Sequence, residues 1–265
     1  MSLKGDLWRS VIQAIESAIP EYDFVNERVS LGRAQKTRNY AASHLKLENG
    51  ILVLDAGIGP GTMSHTVLTE NKGLTVVGLD ASTVLLRAAR ERLRLYDDRV
   101  HFVRGAFEAL PFRDDCFHRI VSAYAFRDAR SRAGAIGEFY RASAVNGIFA
   151  IVDLGKPENR LKRALISIHV RYLVSLISRL SKSRAIYGNP WSVIFPTYQA
   201  LGSNRELVTH LNTCFNNVEI NEFALGGLIV IFATKGHVTG HQLALPRDSG
   251  EQSQQKISRK SEGPI

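Results

Sequence analysis

An α/β domain on a mostly parallel sheet is the fold class this sequence predicts, and three features predict it. Short apolar runs recur along the chain, helically periodic segments separate them, and a glycine-rich turn closes the first run. Strands alternating with helices at this spacing bury a sheet on both faces, as parallel strands require. With 265 residues the chain holds one such domain plus an insertion and a tail, and a hydrophobic fraction of 45% suffices for its core.

The elements follow in order. Residues 6–19 and 32–46 read as helices, parts of an N-terminal helical cap over 1–47. Between them, Pro20 to Asn26 reads as a helix breaker followed by turn formers. Residues 50–55 form a buried strand, 62–70 a helix, 74–80 a second strand and 82–95 a strongly periodic helix. Strands follow at 100–104, 118–124 and 147–153, with a helix at 131–142 before the last. Ser143 to Gly147 reads as the turn before the fifth strand. A basic insert occupies about 156–203, then come a helix at 204–214 and strands at 217–223 and 226–235, a hairpin around Gly226-Gly227. That makes seven strands, the last an antiparallel addition. From Gly236 to Ile265 few large apolar groups remain, and a flexible polar tail is expected.

Composition narrows the function. Only Cys116 and Cys214 are present, neither with metal-ligand spacing, and His65 and His101 are isolated, so no metal site is expected. Two cysteines fit a reduced, cytoplasmic setting. No apolar run with a small-residue cleavage site follows Met1, and no run of about eighteen uncharged apolar residues occurs, so a soluble or at most membrane-peripheral protein is expected. The net charge of +9 allows nucleic acid, an acidic membrane surface or an anionic substrate as partner. Most of the excess lies between Lys156 and Arg184, where eight Lys and Arg face one acid, Glu158.

The first strand ends in Asp55-Ala56-Gly57-Ile58-Gly59-Pro60-Gly61, between a strand and a helix as a nucleotide site requires. The second ends in Asp80, where a carboxylate can accept both ribose hydroxyls of an adenine nucleoside. A dinucleotide loop, or a tight turn in an unrelated α/β domain, would share these features. Asp55, which can offset a cationic ligand bearing an amino acid, and Pro60, which suits a nucleoside without a pyrophosphate, favour a sulfonium cofactor. After the third strand, Gly105-Ala106-Phe107-Glu108-Ala109-Leu110-Pro111-Phe112 has the form G-x-x-E-x-L-P-F. It resembles the adenine-side loop of class I methyltransferases, whose fold is Rossmann-like and whose cofactor is S-adenosyl-L-methionine.

Further motifs sharpen the resemblance. Tyr22-Asp23-Phe24-Val25-Asn26 with Ser30-Leu31-Gly32, then Tyr124-Ala125-Phe126-Arg127-Asp128 after the fourth strand and Lys156-Pro157 after the fifth, resemble the ubiquinone/menaquinone biosynthesis C-methyltransferase family. Ser192, Pro196 and Gly226-Gly227 also fall where such proteins have them. The resemblance implies a cofactor site at Asp55, Gly57, Gly59, Gly61, Ser64, Asp80 and Ala81. Ala106, Phe107, Ala123 and Tyr124 complete it. It also implies methyl transfer to a ring carbon of a polyprenylated quinol, with Arg127, Asp128 and Tyr22 as catalytic candidates. Arg127 can stabilise an oxyanion or hold a water, but it is always charged and cannot be the base. It can equally be a structural partner of Asp128 or Asp23, and Tyr22-Asp23 an ordinary turn. The sequence departs from the family at Ala125, Asp128 (a family asparagine) and Ser143 to Gly147, which bears on substrate more than on cofactor.

Residues 160–184 read as one helix with Arg163, Ser167, Arg171, Ser175, Ser178 and Lys182 along one side. Leu161, Leu165, Ile168, Tyr172, Leu173, Leu176 and Leu180 spread over the other. Such a helix can touch an anionic bilayer, cover an apolar acceptor pocket, form a homodimer contact, or pack with its charges solvated. Asn189-Pro190-Trp191 has the look of the N-P-P-Y element of amino-group methyltransferases, but that element belongs after strand four. Other lipid or small-molecule acceptors, and a noncatalytic cofactor-binding scaffold, are the competing functions. An RNA methyltransferase has only the charge in its favour, with no aromatic-basic interleaving, so nucleic acid is not favoured.

Overall fold

The computed structural model describes residues 5–173 and 190–236. Three helices, α1 (Gly5–Ala18), α2 (Tyr22–Val29) and α3 (Ala34–His44), precede the sheet. Then follow β1 (Leu52–Ala56), α4 (Thr62–Glu70), β2 (Thr75–Asp80), α5 (Thr83–Arg92), β3 (Val100–Arg104), β4 (Phe117–Ala123), α6 (Arg132–Ala142) and β5 (Ser143–Leu154). After them come α7 (Arg160–Ile168), α8 (Ile194–Gln199), α9 (Asn204–Leu211), β6 (Asn217–Phe223) and β7 (Leu228–Thr234). Side-chain caps start several helices: Ser82 accepts from Val84 and Leu85 N–H, Ser131 from Gly134, and Ser203 from Glu206 in a reciprocal capping box.

The seven strands lie in the order β3-β2-β1-β4-β5-β7-β6, with β7 antiparallel to both neighbours and the rest parallel. Chain order reverses between β1 and β4, and a crevice forms at the carboxyl ends of strands there. Residues of α3, α4 and α5 bury Ala41, Met63, Val67 and Ala89 on one sheet face. On the other face α6 and α9 bury Ile136, Phe139 and Leu211. A third cluster, Ala18, Val29, Ile166, Val170, Ile194 and Tyr198, joins α1, α2, α7 and α8 into a cap.

Three expectations are corrected. Pro20 does not start a loop: it sits at the head of a 3-10 turn, Ile19–Glu21, a position where its missing N–H costs nothing, and α2 follows directly. Ser143 to Asn146 belong to β5, because Ser143 pairs with Phe117 and Ile148 with Arg119, a bulge that absorbs the extra residues. Buried Lys235 closes that bulge, its Nζ donating to the Tyr140 and Ser143 carbonyls and to Asp115. The insert helix changes character at Ile168, where a π-helical turn, His169–Leu173, takes over. The expected stretch from 174 to 184, Asn189 and the tail after Gly236 lie outside the described residues.

Candidate active site

The site grows from the end of β1. Asp55 is buried; its Oδ2 accepts from Ser64 Oγ at 2.6 Å, while Oδ1 has no partner among the described residues. Burial pushes its carboxyl up to about 6, against the hydrogen bond from Ser64. Gly57 has φ +78°, and a Cβ there would stand 2.5 Å from Ala125 Cβ and 2.9 Å from Phe107 Cζ, so the turn accepts glycine alone. At the end of β2, Asp80 accepts from Gly59 N–H at 3.0 Å and from Ser82 N–H at 2.9 Å. Burial raises its pKa as well. Ser82 Oγ in turn donates to Glu16 of α1 at 2.5 Å, which ties that helix over the loop.

Gly57, Gly59, Asp80, Ala81, Ala106, Phe107 and Tyr124 line one cavity of about 70 Å³, together with Tyr22 and Asp128. Four other residues expected at the cofactor site stand outside its lining. Gly61 caps α4 and packs on Ala89 of α5 and on Leu93 just after it, Ser64 lies beneath as the donor to Asp55, and Ala123 is the last residue of β4. Asp55, the fourth, is buried, with Oδ1 unpartnered among the described residues. The roof was not foreseen: Trp8, Val11, Ile12 and Ile15 of α1 face the cavity. Periodicity reveals that α1 has an apolar face, not what that face covers.

Behind the cavity lies a charged cluster. Arg127 does not pair with Asp23, which binds Thr62 Oγ1 and Arg92. Its anchor is Asp153 at the end of β5, which accepts from Arg127 N–H at 2.9 Å and from Nη1 at 2.8 Å. Nη1 also donates to the Tyr124 carbonyl. Sequence reading missed Asp153 because a residue closing one strand gives no sign that it bonds the loop after another. Asp128 stands 3.5 Å from Arg127 Nε without a hydrogen bond to either of its oxygens. Burial pushes Asp128 up to about 6, with Arg127 opposing. Burial would lower Arg127, but Asp128 and Asp153 raise it above its ordinary value. Tyr22 is raised, chiefly by burial.

A second cavity, about 280 Å³ and mostly apolar, adjoins the first through Tyr124. Val29, Leu154, Ile166, Val170, Ile194 and Leu228 line its interior. Leu31, Leu165 and Leu225 line it too and are each at least half exposed, which puts them at its mouth. Tyr124 has φ +60°, and its hydroxyl lies 2.7 Å from Thr37 Oγ1.

The sequence profile of the ubiE/COQ5 methyltransferase family matches residues 4–228. The chain belongs to that family. The demethylmenaquinone methyltransferase of Lactiplantibacillus plantarum is 25% identical over 83% of this chain and 93% of its own. The ubiquinone/menaquinone biosynthesis C-methyltransferase UbiE of Syntrophotalea carbinolica is 27% identical over 63% of this chain and 71% of its own. Among solved structures, phosphoethanolamine N-methyltransferase 2 of Haemonchus contortus, in complex with S-adenosyl-L-methionine, aligns with a TM-score of 0.59. It is 16% identical, covers 84% of this chain and 57% of its own, and shares the fold.

This chain is thus a class I methyltransferase with S-adenosyl-L-methionine as cofactor. The residues fit such a molecule. The turn leaves no room for a Cβ at Gly57, Asp80 lines the cavity at the end of β2, and the unpartnered oxygen of Asp55 suits a cationic amino acid head. Among the described residues no helix is long and apolar enough to cross a membrane.

Proposed function

We propose that this enzyme transfers a methyl group to a ring carbon of a polyprenylated quinol precursor of the menaquinone or ubiquinone type. The observation that carries the reading is the apolar cavity that shares Tyr124 with the cofactor side and opens between Leu31, Leu165 and Leu225. A prenyl chain suits such a lining, and the names of the L. plantarum and S. carbinolica relatives point to the same acceptors.

Asp80 would hold the ribose, the turn at Gly57 and Gly59 the nucleoside's approach, and Ala81, Ala106 and Phe107 the base. Bound there, S-adenosyl-L-methionine supplies a methyl group on a positively charged sulfur, and aligning it with the ring carbon is the main catalytic demand. Asp128 is the residue assigned to proton traffic. It faces the cofactor cavity, carries no hydrogen bond, and is poised near neutrality by burial. It would take the acceptor's phenolic proton, which makes the ring carbon nucleophilic. Arg127 stands behind it and lines a different cavity, so its part is to hold Asp128 and the Tyr124 carbonyl in place. Tyr22, kept neutral by burial, would position the ring.

The exposed side of α7 and its π-helical extension is assigned to the surface of an anionic bilayer. Leu161, Leu165, Ile168 and Tyr172 project outward there, Leu161 at 70% exposure, with Arg160, Lys162 and Arg171 around them. A quinol dissolved in lipid would then reach the cavity mouth at Leu165 without crossing water.

The test is the quinone profile of cells with and without the gene. Accumulation of a species one methyl lighter in the deletion strain is the expected result. An unchanged profile, with purified enzyme inert toward demethylated quinols, overturns the assignment.

A further inference from the structure

Arg132 and Lys156 line a cleft of about 70 Å³ between α6 and α9, beside Arg127 and Asp153. Asp153 is taken by Arg127, and neither Arg132 nor Lys156 makes an ion pair with a described residue. Two such cations read first as an anion site, yet their donors go elsewhere. Arg132 Nη2 donates to the Ala200 carbonyl at 2.6 Å. Lys156 Nζ donates to the carbonyls of Gln199 at 3.2 Å and Leu201 at 2.8 Å, and lies over the Tyr198 ring. Those three carbonyls close α8. A helix end gathers carbonyl oxygens that lack an intrahelical partner, and cations are favoured there.

Both cations stand on rigid ground. Arg132 opens α6 beneath its Ser131 cap. Lys156 follows β5, and its main chain is held on both sides: its N–H donates to Asn204 Oδ1 at 2.6 Å, and its carbonyl accepts from Asn204 N–H at 2.9 Å. Buried Asn204 donates in turn to Glu222 and to the Gly226 carbonyl. By contrast α8 is six residues long with Pro196 among them, too short to be rigid alone. Its first residue, Ile194, lines the apolar cavity, and the helix lies against the turn Phe126–Asp128 that carries Arg127 and Asp128.

We propose that Arg132 and Lys156 are positioning residues: they clamp the carboxyl end of α8 to the sheet domain and so set where the wall at Ile194 stands relative to Asp128. This rests on the reading of the apolar cavity beside Tyr124 as the acceptor site. Methyl transfer needs the ring carbon in line with methyl and sulfur, and a wall misplaced by about 1 Å costs on the order of 100-fold in rate.

Kinetics and hydrogen exchange on the intact enzyme test this together, with a demethylated prenylated quinol as acceptor. Lys156→Met, which keeps the stem and removes the donors, is expected to lower kcat/KM for the acceptor about 10-fold, and Lys156→Met with Arg132→Gln about 100-fold. Exchange at the amides of 194–201 should quicken in both, while S-adenosylhomocysteine binds by calorimetry nearly as in wild type. Lys156→Arg, which keeps a charged donor near the carbonyls, should restore most of the loss. An unchanged kcat/KM in the double variant would make the clamp idle, and a loss matched by equally weakened S-adenosylhomocysteine would make it a general support of the fold; both results overturn the proposal. Should the double variant not fold, Lys156→Met alone decides by the same readings. Wild-type enzyme inert toward every demethylated quinol would remove the acceptor reading and this proposal with it; quickened exchange at 194–201 would still tell that failure from the absence of a clamp.

Discussion

The two cavities that meet at Tyr124 are built from different material. On the proposed cofactor side the floor is largely main chain, the turn after β1 and the ends of β2 and β4, with N–H groups of Gly59 and Ser82 held by Asp80, under a roof of side chains from α1. On the acceptor side the walls are side chains of Val29, Ile166, Val170 and Ile194, carried by α2, α7, α8 and the segment between α7 and α8. At Gly57, just past the end of a central strand, the turn cannot admit even one carbon. Side-chain walls from cap helices can change volume residue by residue. One scaffold can therefore hold a constant methyl donor while the acceptor pocket is retuned.

The strongest way to break this contrast is a single methyl group on the rigid side. Gly57→Ala should destabilise the fold by about 3 kcal/mol through overpacking and an unfavourable φ, and should abolish measurable binding of S-adenosylhomocysteine by calorimetry. Binding within a few-fold of wild type would mean the turn is softer than its contacts imply.

Asp128, at the border, sharpens the comparison through pH. Its folded pKa of about 6 lies above the ordinary 3.8, so the native state holds a proton that the unfolded chain has released. Its contribution to stability is thus lost as pH rises from about 4 to 6 and stays lost above. Asp128→Asn removes that penalty and should raise Tm at pH 7, the gain being on the order of 1–3 kcal/mol. With cofactor saturating, which takes Asp55 out of the profile, the same variant should lose the rise in turnover near pH 6. A variant that keeps that rise would free Asp128 of its assigned part.

The smallest effect belongs to the adaptable side. Leu165 is half exposed, so Leu165→Ala should shift stability by no more than about 0.5 kcal/mol. It should nonetheless raise KM for a prenylated acceptor and leave KM for a short-chain analogue unchanged. Equal KM changes for both would separate the cavity mouth from prenyl recognition.

How much of this was legible in the sequence follows the same divide. The strand ends at Asp55 and Asp80 and the glycine turn are local, written in consecutive residues, and the structure gathers Gly57, Gly59, Asp80, Ala81, Ala106 and Phe107 around one space. What stayed hidden is nonlocal. The Arg127–Asp153 bond spans two strand ends, Arg38 meets Tyr124 across most of the cofactor domain, and α1 covers the pocket with its Glu16 bonded to Ser82. Proline at 20 misled because the same residue that breaks a helix interior is welcome at its first turn.

The ring of Tyr124 borders both spaces, clasped by a threonine hydroxyl and faced by a guanidinium. A donor and an acceptor seated in the two spaces would touch one and the same side chain, so a substitution at Tyr124 would alter both pockets at once.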